Sequence, residues 1–159
     1  MNSIYFSEEH RALREQIARF IDNEVRPAGR AWEDQGFVPR NVLRAMGRLG
    51  FLGIRYPAEY GGAELGQLAT VVLAEEAGKS GFGGFSATVL VHTDMASPHL
   101  AHVGTPDQLA RYMPAVIAGE KITAIAVTEA DAGSDVAALR TTARRTDKGW
   151  VLNGSKMFI

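Results

Sequence analysis

The chain has 159 residues, 46% of them hydrophobic and 22% charged, a globular balance with enough apolar material for a real core. A net charge of -1 offers no basic surface for nucleic acid or an anionic membrane, and with no cysteine there is neither a disulfide framework nor thiolate or Cys-ligated metal chemistry. No apolar run approaches a bilayer-spanning length, and Met1 to Phe6, followed at once by Glu8 and Glu9, carries no basic leader or Arg-rich transit segment, so a reducing cytoplasm is the expected location.

In chain order, Ser7 is a good N-cap, with Glu8 and Glu9 suited to the helix dipole. Leu13, Ile17, Phe20, Ile21 and Val25 then recur at helical spacing as one apolar stripe. Pro27 ends that helix and is placed to open a short second one as its first residue. Pro39 opens a third, carrying Val42, Leu43, Met46 and Leu49 and closed by Gly50. Phe51 to Tyr56 is an apolar connector and Pro57 to Gly62 a loop. Gln67 to Lys79, with Leu68, Val71, Val72 and Leu73, is a helix, and Ser80 to Gly84 a break. Phe85 to His92 and Pro98 to Val103 are expected to be helical. Thr105-Pro106-Asp107-Gln108 combines a capping box with proline at the first helical position, and Leu109, Tyr112, Met113, Val116 and Ile117 form the apolar face of a helix that Gly119 stops.

The apolar period then changes from helix-like to alternating. Ile122 to Thr128 and Leu139 to Thr146 read as strands, Asp147-Lys148-Gly149 as a turn, and Asn153-Gly154 as a two-residue hairpin signal. The fold class is therefore mainly α: an up-and-down-like helical domain over 1–121, then the beginning of a β domain over 122–159. So short a stretch of strand and turn cannot close a barrel or sandwich, so the chain reads as an N-terminal fragment of something longer.

Between the two β segments lies Ala126-Val127-Thr128-Glu129-Ala130-Asp131-Ala132-Gly133-Ser134-Asp135-Val136-Ala137-Ala138. A Gly-Ser turn flanked by carboxylates can expose backbone N–H groups and a hydroxyl to an anion, because glycine has no Cβ to block approach. A polar loop joining two domains is the plainer reading of those residues.

The spacing of this stretch resembles the signature of the acyl-CoA dehydrogenase family. Pro57-Ala58-Glu59-Tyr60-Gly61-Gly62 is similar to the family's loop after its third helix, Lys121 to Thr128 to the strand entering its flavin site, and Trp150 to Ile159 to the hairpin that follows. The resemblance runs in order over essentially the whole chain. It implies a β-barrel-like middle domain after the helices and FAD as cofactor. Thr128, with the backbone of Ile125, Ala126 and Val127, would contact the pyrimidine end of the flavin. Gly133 and Ser134 would lie by the pyrophosphate, and Ser134 also by the bound CoA thioester. Asp135 is expected to be a turn or cap residue, since a carboxylate would repel a pyrophosphate.

Phe158 stands where the family commonly has a tryptophan packed on the flavin. It can stack but has no indole N–H; a core phenylalanine is the other reading. The resemblance further implies α,β-dehydrogenation of an acyl-CoA to the trans-2-enoyl-CoA, an electron-transferring flavoprotein as acceptor and a homotetramer. It places the glutamate base in a C-terminal helical domain, so no catalytic residue is assigned in this chain, which by itself is expected to be inactive. A flavin oxidase or monooxygenase on the same scaffold, and a non-enzymatic helical interaction module, are the alternatives.

Three other groups carry less. His92, Asp94, His99 and His102 are too loosely spaced for a metal site. Gly81, Gly83 and Gly84 neither follow a strand nor open a βαβ unit, so they read as a helix-to-helix turn rather than a phosphate loop. Glu75 and Glu76 point in different directions from one helix and are expected to be solvated or paired with Lys79.

Overall fold

The computed structural model describes residues 4–159; the Met1–Ser3 part of the N-terminal reading lies outside the described residues. The chain divides into two compact units, Met1–Ala124 and Ile125–Ile159. The first is helical: α1 (Glu8–Phe20), α2 (Gly29–Gln35), α3 (Arg40–Arg48), α4 (Gly66–Lys79), α5 (Gly83–Leu90), α6 (Ser97–Val103) and α7 (Pro106–Ile117). The second holds one antiparallel hairpin, β1 (Thr142–Thr146) and β2 (Gly149–Asn153), and a 3-10 turn at Val136–Ala138.

The caps of α1 and α7 form as their sequences require. The Ser7 hydroxyl accepts from the His10 N–H and the His10 ring accepts from the Ser7 N–H, while Thr105 and Gln108 make the same reciprocal pair. Ile17, Phe20, Ile21 and Val25 are buried with Leu43, Met46, Phe51, Leu73 and Phe85 in one core. Each such large apolar side chain contributes about 1.5–3 kcal/mol when fully buried.

Two helices widen into π turns, one within the expected first helix and one across the gap between the expected helices at Phe85 to His92 and Pro98 to Val103. Ile21–Val25 continues α1 as a π turn, and Val91–Ala96 joins α5 to α6 by another. Each π turn ends two residues before a proline, Pro27 and Pro98. A proline has no N–H to donate four residues back, so the ladder is already open there and accommodates an extra residue. Phe85 to Val103 is therefore one continuous helical run. For the same reason α2 starts at Gly29 rather than at Pro27.

Three expected core positions are not core. Leu49 lies past the end of α3 and is 53% exposed, and Leu68 and Val71 sit on the outer side of α4, which packs Ala69, Val72, Leu73 and Ala77 inward. Glu76 has its expected partner in Lys79 but is buried rather than solvated, its side chain only 6% exposed. The Arg14 guanidinium from α1 donates to Glu76 and Glu75, each at 2.5 Å, and the Lys79 ammonium donates to Glu76 at 2.6 Å. Glu76 is thus an inter-helix anchor rather than a solvated charge.

The connector between α3 and α4 is bonded largely to itself. Gly62 N–H donates to the Pro57 carbonyl at 3.0 Å, Ala63 N–H to Gly53 at 3.0 Å and Leu65 N–H to Ile54 at 2.9 Å. The buried Tyr56 hydroxyl donates to the Thr93 carbonyl at 2.6 Å, tying this connector to the second π turn, and burial pushes that phenol up to about 12.

In the second unit the hairpin register pairs Thr142 with Asn153 and Thr146 with Gly149 around a two-residue Asp147–Lys148 turn. β1 is shorter than Leu139 to Thr146, because the amides of Arg140 and Thr141 are taken by a carboxylate described below. Ile122 to Thr128 has no regular secondary structure and forms no ladder among the described residues, so the expected strand is absent as such. Asn153-Gly154 is not a hairpin turn either: β2 ends there, and a Cβ at Gly154 would overlap Thr141. Glycine serves close approach at that point rather than a turn conformation. The hairpin leaves Trp150 66% and Leu152 75% exposed.

Candidate functional site

The signature stretch folds around Glu129. Its N–H donates to the Ala132 carbonyl at 2.8 Å and its carbonyl accepts from the Ala132 N–H at 3.3 Å, which closes a tight turn with Ala130 and Asp131 at the tip. The carboxylate points inward, 8% exposed, and is fully engaged. It accepts from the Arg140 N–H at 2.7 Å, the Thr141 N–H at 3.0 Å, the Thr141 hydroxyl at 2.5 Å and the Lys156 ammonium at 2.9 Å. A buried carboxylate is stable only with partners of this kind. These donors, the Thr141 hydroxyl first, then the Arg140 amide and Lys156, hold its carboxyl down at about 2.

The segment before the turn has a polar asymmetry. The Val127 carbonyl accepts from the Lys156 ammonium at 2.9 Å and the Thr128 carbonyl from the Met157 N–H at 2.9 Å. The N–H groups of Val127 and Thr128 and the Thr128 hydroxyl have no hydrogen-bond partner among the described residues. This segment therefore has two consecutive acceptors used and the neighbouring donors free.

Of the residues singled out from sequence, Ile125, Ala126, Val127 and Thr128 lie along that segment, and Phe158 is brought next to it through Met157. Phe158 is 91% exposed with a φ of +56°. Gly133 and Ser134 form an exposed bend on the far side of the turn, with nothing within 4 Å of a Cβ built on Gly133. No hydrogen bond links Ser134 to Thr128 among the described residues. Asp135 caps the following 3-10 turn, its side chain accepting from the Ala137 N–H at 3.2 Å.

Glu129 and Lys156 were legible only as part of the motif. The signal available was a carboxylate one residue after Thr128 and a lysine in the segment after the hairpin, 27 positions on. Their pairing sets a pH window. Because the folded value of about 2 lies below the ordinary 4.5, the stabilisation is complete above pH 4.5 and is lost as pH falls toward 2. The amide proton resonances of Arg140 and Thr141 are expected to titrate with a midpoint near 2; a midpoint near 4.5 overturns the buried clamp.

In the helical unit, His92 is a completely buried side chain rather than a metal ligand. Its Nδ1 accepts from the Thr123 N–H at 3.1 Å and lies 2.9 Å from the Thr123 hydroxyl, which fixes Nε2 as the protonated nitrogen, donating to the Val116 carbonyl at 3.1 Å. Asp94 instead faces Arg55 at 3.6 Å, and His99 bonds the Met95 carbonyl one turn back. Gly81 has a φ of +84° in the loop before α5, where it turns the chain. An apolar cavity of about 210 Å³ opens beside Trp32, Phe37, Val38, Phe82 and Phe85.

Two family models match the chain: acyl-CoA dehydrogenase, N-terminal domain, over residues 7–120, and acyl-CoA dehydrogenase, middle domain, over 124–159. The chain is 40% identical over 154 residues to the mitochondrial long-chain specific acyl-CoA dehydrogenase of Mus musculus, covering 97% of this chain and 35% of that protein. It is similar to the crystal structure of an acyl-CoA dehydrogenase from Geobacillus kaustophilus, with a TM-score of 0.90 and 36% identity over 99% of this chain and 41% of that one. A Bacillus anthracis acyl-CoA dehydrogenase complexed with FAD has a TM-score of 0.87 at 36% identity, covering 95% of this chain and 26% of that one. The chain thus spans little more than a third of the length of the mouse relative.

Proposed function

The chain belongs to the acyl-CoA dehydrogenase family, and we propose that the whole protein is an FAD-dependent dehydrogenase that converts an acyl-CoA thioester to its trans-2-enoyl-CoA. The observation that carries this reading is the segment at Val127 and Thr128, whose carbonyls are occupied by Lys156 and Met157 while the N–H groups and hydroxyl stay free. The heteroatoms along the pyrimidine end of a flavin are mostly acceptors, so the donor set fits that group. The open bend at Gly133 and Ser134 offers a further hydroxyl and backbone donors without a charge, which suits a pyrophosphate.

FAD, when bound, supplies the acceptor for the hydride leaving the substrate Cβ. The residues of this chain bind and orient. Thr128 and its neighbours fix the ring edge, Ser134 stands for the pyrophosphate and the thioester, and Phe158 for the ring face. The helical unit supplies an apolar wall for the acyl chain. Electron-transferring flavoprotein is the acceptor proposed for the whole enzyme, a homotetramer its assembly and the cytoplasm its location. No helix among the described residues is long and apolar enough to cross a membrane.

The test is a visible absorption titration of the flavin-free whole protein with FAD. Thr128→Val, which removes one hydrogen bond, is expected to weaken binding about tenfold. Ser134→Asp is expected to weaken it further by placing a carboxylate at the pyrophosphate. A whole protein that takes up no flavin overturns the reading.

A further inference from the structure

The Glu129 carboxylate lies at the centre of the C-terminal unit, yet it touches none of the residues assigned to the cofactor except through the backbone. We propose that Glu129, acting through Lys156, is a positioning residue that sets the orientation of the Val127–Thr128 peptide groups and so keeps their donors turned toward the flavin. The proposal rests on the flavin-site reading above and names the device that holds that site in shape.

Lys156 Nζ bonds Glu129 Oε1 and the Val127 carbonyl, each at 2.9 Å, so the ammonium bridges the carboxylate and the segment two residues upstream. The next residue, Met157, donates its N–H to the Thr128 carbonyl at 2.9 Å. Both carbonyls are thereby committed to the segment after the hairpin. A planar trans peptide points the carbonyl of one residue and the N–H of the next in opposite directions. Pinning the Val127 carbonyl therefore fixes the Thr128 N–H on the side away from Lys156, and pinning the Thr128 carbonyl as well fixes the Thr128 Cβ between the two planes.

Glu129 anchors Lys156 because its other bonds, to Arg140 and Thr141, hold it at the base of the hairpin. With 8% exposure and an acceptor role in all four bonds, the site requires an ionised carboxylate. A glutamine of the same shape would turn an NH2 group toward donors. The Lys156 side chain, 23% exposed, would lose its counter-charge and release the Val127 carbonyl.

The experiment measures FAD dissociation constants on the flavin-free whole protein, for wild type, Glu129→Gln, Lys156→Met, Thr128→Val and the Glu129→Gln/Thr128→Val double variant. The shape of the flavin absorption bands and the thermal midpoint of the helical unit are recorded in parallel. The expected result is a tenfold or greater weakening in Glu129→Gln and Lys156→Met with altered band shape and an unchanged helical midpoint. If Glu129 acts through Thr128, the double variant loses less than the product of the two single losses. Wild-type affinity and band shape in Glu129→Gln and Lys156→Met, or losses that multiply fully, overturn the proposal. Should Glu129→Gln fail to fold, Lys156→Met, which keeps the Arg140 and Thr141 bonds to Glu129, decides by the same criteria, combined with Thr128→Val. A wild-type protein without flavin affinity instead overturns the flavin-site reading itself, so the two failures are told apart.

Discussion

Gly62→Ala is expected to destabilise the helical unit by more than about 4 kcal/mol, lowering its thermal midpoint by about 10 °C or more. An added Cβ would overlap the Tyr56 carbonyl and approach the Pro57 carbonyl oxygen to 2.9 Å. Both obstacles are backbone, and neither is free to move. Tyr56 is 3% exposed with its hydroxyl bonded to Thr93, and the Pro57 carbonyl already accepts from the Gly62 N–H. Gly61 is the control, one residue away. Its φ of +92° disfavours a side chain, but nothing lies within 4 Å of its Cβ position, so Gly61→Ala is expected to cost only about 1–2 kcal/mol. Circular dichroism melts of the two variants check the pair. Similar midpoints for both would mean that the connector yields and that packing at Gly62 is not the constraint.

A second large effect is expected at His92, and it depends on pH. Burial lowers the affinity of this imidazole for a proton below its ordinary 6.5. The unfolded chain therefore takes up the proton first, so the stabilisation is complete above pH 6.5 and falls as pH drops through and below that value, by at most about 1.4 kcal/mol per pH unit. His92→Gln keeps a donor for Val116 and an acceptor for Thr123 without titrating, so its stability should be flatter with pH between 7 and 5. His92→Leu leaves the Val116 carbonyl and Thr123 N–H without their partners and is expected to cost about 2–4 kcal/mol at every pH in that range. Parallel pH profiles for wild type and His92→Gln would refute a neutral buried His92; His10, His99 and His102 are common to both and cancel.

The helices were legible because burial on one side imposes a period that side-chain chemistry reveals. Ile17, Phe20, Ile21 and Val25 sit where their spacing puts them, and Thr105 caps α7. Spacing alone misjudged Leu49 and Leu68, since it does not say where a helix ends or how wide its buried face is. Proline spacing marks helix ends and starts but not the form of the turn between them. Pro27 does end its helix, after a π turn over Ile21–Val25, whereas before Pro98 the π turn over Val91–Ala96 carries the helix onward into α6. The alternation of Ile122 to Thr128 was real, but a strand is defined by its neighbours, and local pattern does not supply them.

At the site, the backbone segment and the Gly-Ser bend were found from residue type. Glu129 was not, because an isolated carboxylate in a polar stretch is ordinarily solvated. Only the fold brings Lys156 and the Thr141 amide to it.

The C-terminal unit buries only Glu129 and Ala132 among its residues and is held by hydrogen bonds around one carboxylate. Heat capacity of unfolding comes from newly wetted apolar surface, usually about 12–15 cal/mol/K per residue. This unit, with Trp150 and Leu152 already wet, has little such surface left to expose. Calorimetry of the chain would therefore register the helical unit almost alone, and urea, whose leverage scales with the area uncovered, would have a shallow grip on the segment that carries the signature.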